Sequence, residues 1–270
     1  MLRVCVAGAT GWAGRAIAEA VLAAEDLELV SAVARRGAGR DLGEVWGTVN
    51  RGVPVHATVA GALDAEDSGV EVLIDYTAHD VVKDNVVAAL ERNVAVVVGA
   101  SGLSAEQYGD IDALARARMV GVIASGNFSL TAAMAQAAAV LVARYLPYCE
   151  IIDYAAAAKP DAPSGTSREL AEKLAAVRPT EVALAVRDTA GSPEARGATV
   201  AGIQIHSLRL PSFVVSTEVI FALQDERLSI RHDAGSTAAP YVTGTLLAAR
   251  AAPNTIGLIR GLDTLLLSTA

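Results

Sequence analysis

The stretch Arg3-Val4-Cys5-Val6-Ala7-Gly8-Ala9-Thr10-Gly11-Trp12-Ala13-Gly14 decides the fold. An apolar strand runs into a glycine turn, and the turn opens an Ala-rich helical pattern over 14–24. Spaced glycines let the chain reverse tightly and let backbone N–H groups approach a pyrophosphate. The helix N-terminus then stabilises the negative charge. Gly8, Ala9, Thr10, Gly11, Trp12 and Ala13 are therefore expected to bind a dinucleotide, the alternative being a purely structural glycine turn.

Outward from this turn the same rhythm repeats. Strand patterns fall at 3–7, 27–33, 70–75, 95–98 and 121–124, with helical patterns at 14–24, 80–91, 105–118 and 130–145. Strand and helix in alternation predict an α/β fold with a doubly wound parallel sheet of Rossmann type. Past residue 129 the pattern changes. A strand at 150–157, a turn-rich segment at 159–166 and a helix at 167–177 precede strands at 203–208, 213–223 and 226–233. Strands in succession predict a smaller α+β domain with a mixed or antiparallel sheet. Stretches 242–251 and 258–267 read as helices returning to the first domain. The expected division is a dinucleotide-binding domain over 1–129, a substrate and oligomerisation domain over 130–238, and C-terminal helices over 239–270.

Composition agrees with a chain that buries a large core. Of its 270 residues 53% are hydrophobic and only 4% aromatic, as suits β-branched strands covered by Ala-rich helices. A net charge of −8 argues against nucleic acid or a membrane surface as the main partner. Two cysteines without metal-type spacing predict neither a disulfide framework nor a metal site, and point to a cytoplasmic protein. No secretory leader pattern and no apolar run of about 18 residues is evident.

The end of the second strand selects the cofactor. A carboxylate there would hold the ribose hydroxyls of NAD, but the chain reads Ala34-Arg35-Arg36. Two guanidiniums suit a 2′-phosphate, so NADPH is expected, with NADH as the second choice. A solvated arginine pair is the bland alternative.

The most specific stretch is Lys159-Pro160-Asp161-Ala162-Pro163-Ser164-Gly165-Thr166. It resembles the K-x-D-A-P-S-G-T signature of the dihydrodipicolinate reductase family, whose members act in diaminopimelate and lysine biosynthesis. Ile74-Asp75-Tyr76-Thr77 is similar to the family's I-D-F-T, Gly99-Ala100-Ser101-Gly102 to its G-T-T-G, and Asn127-Phe128-Ser129 to its N-F-S. Gly202, His206, Ser207 and Arg209 resemble its G-x-x-x-H-S-x-R strand. The resemblance implies NADPH contacts at Gly8 to Ala13, Arg35, Thr77, Gly99, Ala100, Ser101, Ser125, Gly126, Asn127 and Phe128. It also implies a homo-oligomer, a tetramer or dimer. Substrate carboxylates are expected at Gly165 and Thr166 beside Ser164, where a turn opening a helix offers backbone donors on physical grounds alone. Lys159 is the expected catalytic residue, a lysine held by a rigid turn that can serve as acid or carboxylate anchor. Its alternative is a surface lysine paired with Asp161 or Asp153.

The pattern breaks in two places. The family has two histidines four and three residues before the lysine, the first an acid/base; here Ala155 and Ala156 stand there. Where the family reads R-G-G-D-I-V-G-E-H, this chain reads Arg209-Leu210-Pro211-Ser212-Phe213-Val214-Val215-Ser216-Thr217. His206 is expected to be a packed, hydrogen-bonded residue, His232 a candidate for lining a cleft, and His56 and His79 surface residues. An iminium arrives already protonated, so hydride transfer to an activated C=N or C=C bond survives these losses. Lys159, Tyr154 or a water is the candidate proton source. The reading is thus a reductase of a cyclic or amino-acid-derived imine, 4-hydroxy-tetrahydrodipicolinate among them. An imine reductase or amine dehydrogenase on another small, carboxylate-bearing substrate is the enzymatic alternative, and a silent NADPH-binding scaffold the non-enzymatic one. A semialdehyde dehydrogenase is excluded because neither Cys5 nor Cys149 is placed as a thioester-forming nucleophile.

Overall fold

The computed structural model describes residues 1–66 and 68–268. In chain order the elements are β1 (Leu2–Ala7), α1 (Trp12–Ala23), β2 (Leu27–Val33), α2 (Leu42–Val45), β3 (Val55–His56), α3 (Val59–Leu63), β4 (Val72–Asp75), α4 (Val82–Glu91), β5 (Ala95–Val98), α5 (Ala105–Arg118), β6 (Gly121–Ala124) and α6 (Leu130–Ala143). There follow β7 (Tyr148–Ala155), α7 (Gly165–Val177), β8 (Ala198–Val200), β9 (Ile203–Arg209), β10 (Val215–Leu223), β11 (Glu226–Asp233), α8 (Ala239–Ala251), β12 (Gly257–Arg260) and α9 (Leu262–Ser268). Contacts divide the chain into two units, Met1–Ser129 with Ala238–Ala270, and Leu130–Thr237.

The first unit is built on a seven-stranded sheet in the order β12-β6-β5-β4-β1-β2-β3, every pairing parallel. β4, β5 and β6 are buried throughout, because helices cover both faces of a parallel sheet and near-continuous Val and Ile runs are what such strands require. α1 buries Gly14, Ile17, Ala18 and Val21, one stripe at helical spacing. α5 opens with a reciprocal Ser104–Gln107 capping box. The stretch expected as a helix at 258–267 divides in two. Gly257–Arg260 pairs with β6 as the edge strand, and Gly261, at φ +91°, turns the chain into α9.

The second unit carries a mixed sheet in the order β11-β10-β7-β9-β8, with β7 and β9 parallel and the other pairs antiparallel. Along β7 burial alternates: Cys149, Ile151, Asp153 and Ala155 face inward, while Tyr148, Glu150, Ile152 and Tyr154 are more open. Ile151, Ile203, Ile205, Val219 and Phe221 form a core with Leu170, Ala171 and Leu174 of α7 and Ala139 of α6. No described helix is long and apolar enough to cross a membrane.

Candidate active site

The sheet order places β1 between β2 and β4, the point where an open α/β sheet reverses its winding and leaves a crevice at its carboxyl edge. A cleft of about 760 Å³ lies there, lined by Gly8, Thr10, Gly11, Arg35, Arg36 and Thr77 among others. The glycine turn at this cleft admits no side chain at Gly8 or, in the helix behind it, at Gly14. A Cβ on Gly8, where φ is +81°, would stand 2.4 Å from the Tyr76 carbonyl oxygen, and one on Gly14 would stand 2.1 Å from that of Gly8. Gly11 caps α1 without a side-chain hydrogen bond, so the first-turn N–H groups have no side chain competing for them at the cap. Arg35 and Arg36 are exposed at the rim, and among the described residues neither has an ion-pair or hydrogen-bond partner. Glycines that bring backbone to the surface, a helix N-terminus and two unpaired guanidiniums fit a phosphorylated dinucleotide.

Residues of the Ile74–Thr77 motif, together with Asn85, Trp46 and Thr245, which no motif marked, hold this cleft in shape. Asp75, fully buried at the end of β4, accepts from the Thr77 amide at 2.8 Å, the Thr77 hydroxyl at 2.5 Å and Asn85 Nδ2 at 2.8 Å. Burial pushes its carboxyl above the usual range against the pull of those donors. Trp46 donates its indole N–H to the Ala9 carbonyl at 3.1 Å, and the Arg15 guanidinium lies 5.2 Å from its ring centroid. The Tyr76 hydroxyl meets Thr245 Oγ1 at 2.7 Å, and its ring fills the space that a Cβ on Gly99 would take. Gly99 to Ser101 and Ser125 to Phe128 follow β5 and β6 along the same sheet edge, outside the lining of this cleft. Ala9 is buried beneath it. Trp12 is exposed and stands edge-on to Tyr241, with ring centroids 5.8 Å apart.

In the second unit the Lys159–Thr166 turn is fixed from below. Asp153 Oδ2 accepts from the Ser164 amide at 2.9 Å, Ser207 Oγ at 3.0 Å and Arg209 Nη2 at 2.9 Å. Ser164 caps α7, its side chain accepting from the Ser167 amide. The helix therefore begins two residues before the expected 167, and Gly165 and Thr166 form its first turn, where backbone N–H groups lack intrahelical partners. Lys159 Nζ lies 2.6 Å from Asp161 Oδ1, the pairing foreseen as the alternative to a catalytic role.

The positions of the missing histidines differ from each other. Ala155 is fully buried and Ala156 half-buried. Tyr154 is not free to act as an acid: its hydroxyl donates to Glu218 at 3.0 Å, and burial, with the Glu218 carboxylate beside it, raises its pKa. His206 meets Glu150 at 2.7 Å, as expected of a hydrogen-bonded residue. His79 is exposed, whereas His56 is half-buried. His232 lines a small cavity of the second unit together with Thr166. No cluster suited to a metal ion occurs among the described residues.

A doubly wound parallel sheet with a glycine-turn cleft at its reversal, followed in the chain by a mixed-sheet unit, defines a protein of the Rossmann dinucleotide-binding class. Comparison with known proteins narrows the class. Residues 2–128 match the family described as dihydrodipicolinate reductase, N-terminus, and residues 127–266 its C-terminus. The 4-hydroxy-tetrahydrodipicolinate reductase of Moorella thermoacetica is 39% identical over 98% of both chains. That of Synechococcus elongatus is 38% identical over 97% of this chain and 98% of its own. Among solved structures, dipicolinate-bound dihydrodipicolinate reductase from Paenisporosarcina sp. TG-14 superposes with a TM-score of 0.76 at 29% identity, covering 97% and 98% of the two chains. An amine dehydrogenase from Mycobacterium smegmatis, at 16% identity and a TM-score of 0.64 over 97% and 95%, shares the fold. The chain belongs to the dihydrodipicolinate reductase family, one of NAD(P)H-dependent oxidoreductases.

Proposed function

We propose that this chain is an NADPH-dependent reductase of a cyclic imine dicarboxylate, with 4-hydroxy-tetrahydrodipicolinate as its substrate. The observation that carries the reading is the pairing, in one chain, of a dinucleotide cleft with the intact Lys159–Thr166 turn at a helix N-terminus. Loss of the ring 4-hydroxyl as water leaves a conjugated C=C–C=N system, to which a bound nicotinamide cofactor would supply a hydride. The Gly8–Ala13 turn holds the pyrophosphate, Arg35 and Arg36 the 2′-phosphate, and Thr77 contributes from the end of β4. Gly99 to Ser101 and Ser125 to Phe128 complete the cofactor contacts.

Ser164, Gly165 and Thr166 bind a substrate carboxylate through the α7 N-terminus. Lys159 sets a positive charge beside the acceptor and is the side chain nominated for the proton. With alanine at 155 and 156, the alternatives to Lys159 are an iminium that arrives already protonated and needs no donor, or a proton from solvent. Steady-state oxidation of NADPH with freshly formed 4-hydroxy-tetrahydrodipicolinate tests the proposal.

The buried Ala155 favours a second reading, a silent NADPH-binding protein, which predicts nucleotide uptake without turnover. The open face of the second sheet, with Tyr148, Glu150, Ile152 and Tyr154 on β7, supports self-association as a dimer or tetramer. The reduced, buried Cys5 and Cys149 are consistent with the cytoplasm.

A further inference from the structure

Between the sheet of the second unit and helices α6 and α7 lies a cavity of about 20 Å³, lined by Gln136, Thr166, Thr217 and His232 amid apolar side chains. Thr217 and His232 are cross-strand partners on β10 and β11, so their side chains share the covered face of the sheet. Both are about nine-tenths buried. Thr217 Oγ1 is buried without a hydrogen-bond partner, a costly state for a hydroxyl in an apolar setting. Desolvation lowers the His232 pKa, which suits a neutral hydrogen-bonding imidazole rather than a counter-ion. The volume matches one water molecule; the Gln136 amide donates to Glu169 at 2.9 Å, and Thr217 Oγ1 with Thr166 and His232 beside it supplies the two to four partners that a buried water needs.

We propose that Thr217 and His232 are positioning residues of the anion cradle, acting on Thr166 through a single water held in this cavity. The inference rests on the cradle reading of Gly165 and Thr166. The water ties the strands to the first turn of α7, so the Thr166 end of the cradle keeps its orientation when a carboxylate arrives.

The test uses the whole protein, pyridine-2,6-dicarboxylate as the probe, and the variants Thr217→Val, Thr217→Ser and His232→Leu. Thr217→Val and His232→Leu are expected to raise the inhibition constant about three- to tenfold, Thr217→Ser to restore it, and the loss to fall on KM rather than kcat. A crystal structure of the wild type is expected to show a solvent peak within hydrogen-bond distance of Thr217 Oγ1, and an empty cavity there would overturn the proposal. Wild-type inhibition with an unchanged Thr217→Val overturns this proposal alone, as does a rise in the melting temperature of Thr217→Val, the mark of a hydroxyl that held nothing. A wild type that ignores the dicarboxylate overturns the cradle reading, and this inference with it.

Discussion

Arg209, half-buried, pairs with the fully buried Asp153, Nη2 to Oδ2 at 2.9 Å, and the same Nη2 donates to the Asp161 carbonyl at 2.6 Å. One guanidinium thus ties β9 to β7 and both to the turn that carries Lys159. Removing the arginine strands the buried Asp153 charge, and with the site partly open to solvent the cost is at or below the roughly 3–5 kcal/mol of a fully buried pair. Arg209→Leu should lower stability by that order, read from urea midpoints.

The same pair sets an acid limit. Burial alone would raise the Asp153 carboxyl, but hydrogen bonds from Ser164 and Arg209 outweigh it and hold the group below its ordinary 3.8. A carboxyl with a depressed folded pKa contributes stability above its unfolded value and loses it as pH falls through the folded one. Stability should therefore decline below about pH 4, and Asp153→Asn, though less stable at neutral pH, should show a shallower decline.

Gly8→Ala and Gly14→Ala bear on the cofactor. Each new Cβ would meet a carbonyl oxygen at 2.4 Å or less, and Gly8 adds a left-handed backbone that alanine resists. Both variants should lose NADPH affinity by at least about tenfold in fluorescence titration, with Gly14→Ala also melting earlier.

Arg35 and Arg36 bear on cofactor choice. A charge-assisted hydrogen bond contributes about 1.5–3 kcal/mol, so replacing both by alanine should weaken NADPH by about 10- to 100-fold or more. NADH binding should change little, which separates 2′-phosphate recognition from a general loss of the cleft.

Lys159→Ala should lower kcat with the imine by about 10²- to 10⁴-fold if the ammonium supplies the proton. NADPH binding should persist. A drop confined to KM would assign Lys159 to carboxylate anchoring alone.

Much of this was legible in the sequence. The glycine turn, the strand-helix rhythm and the Lys159–Thr166 turn each declare themselves within a few residues, because their chemistry is local. What escaped was either very short or brought together from afar. A two-residue strand such as Val55–His56 has no period to detect. Gly257–Arg260 merged into the apolar run after it, and only its pairing with β6 makes it a strand. Trp46 reaches Ala9 across 37 positions and Arg209 reaches Asp153 across 56, distances over which composition and spacing carry no signal. The meeting of His232 with Thr166 depends on how α7 packs on the sheet, which no strand pattern states.

A single-turnover reaction tests the central claim most directly: NADPH deuterated at its hydride-bearing carbon, one equivalent of protein, and freshly formed 4-hydroxy-tetrahydrodipicolinate. Transfer of deuterium to one carbon of a reduced ring, abolished by Gly8→Ala and slowed by Lys159→Ala, is the predicted result. Bound nucleotide that keeps its deuterium in the presence of that substrate would contradict it.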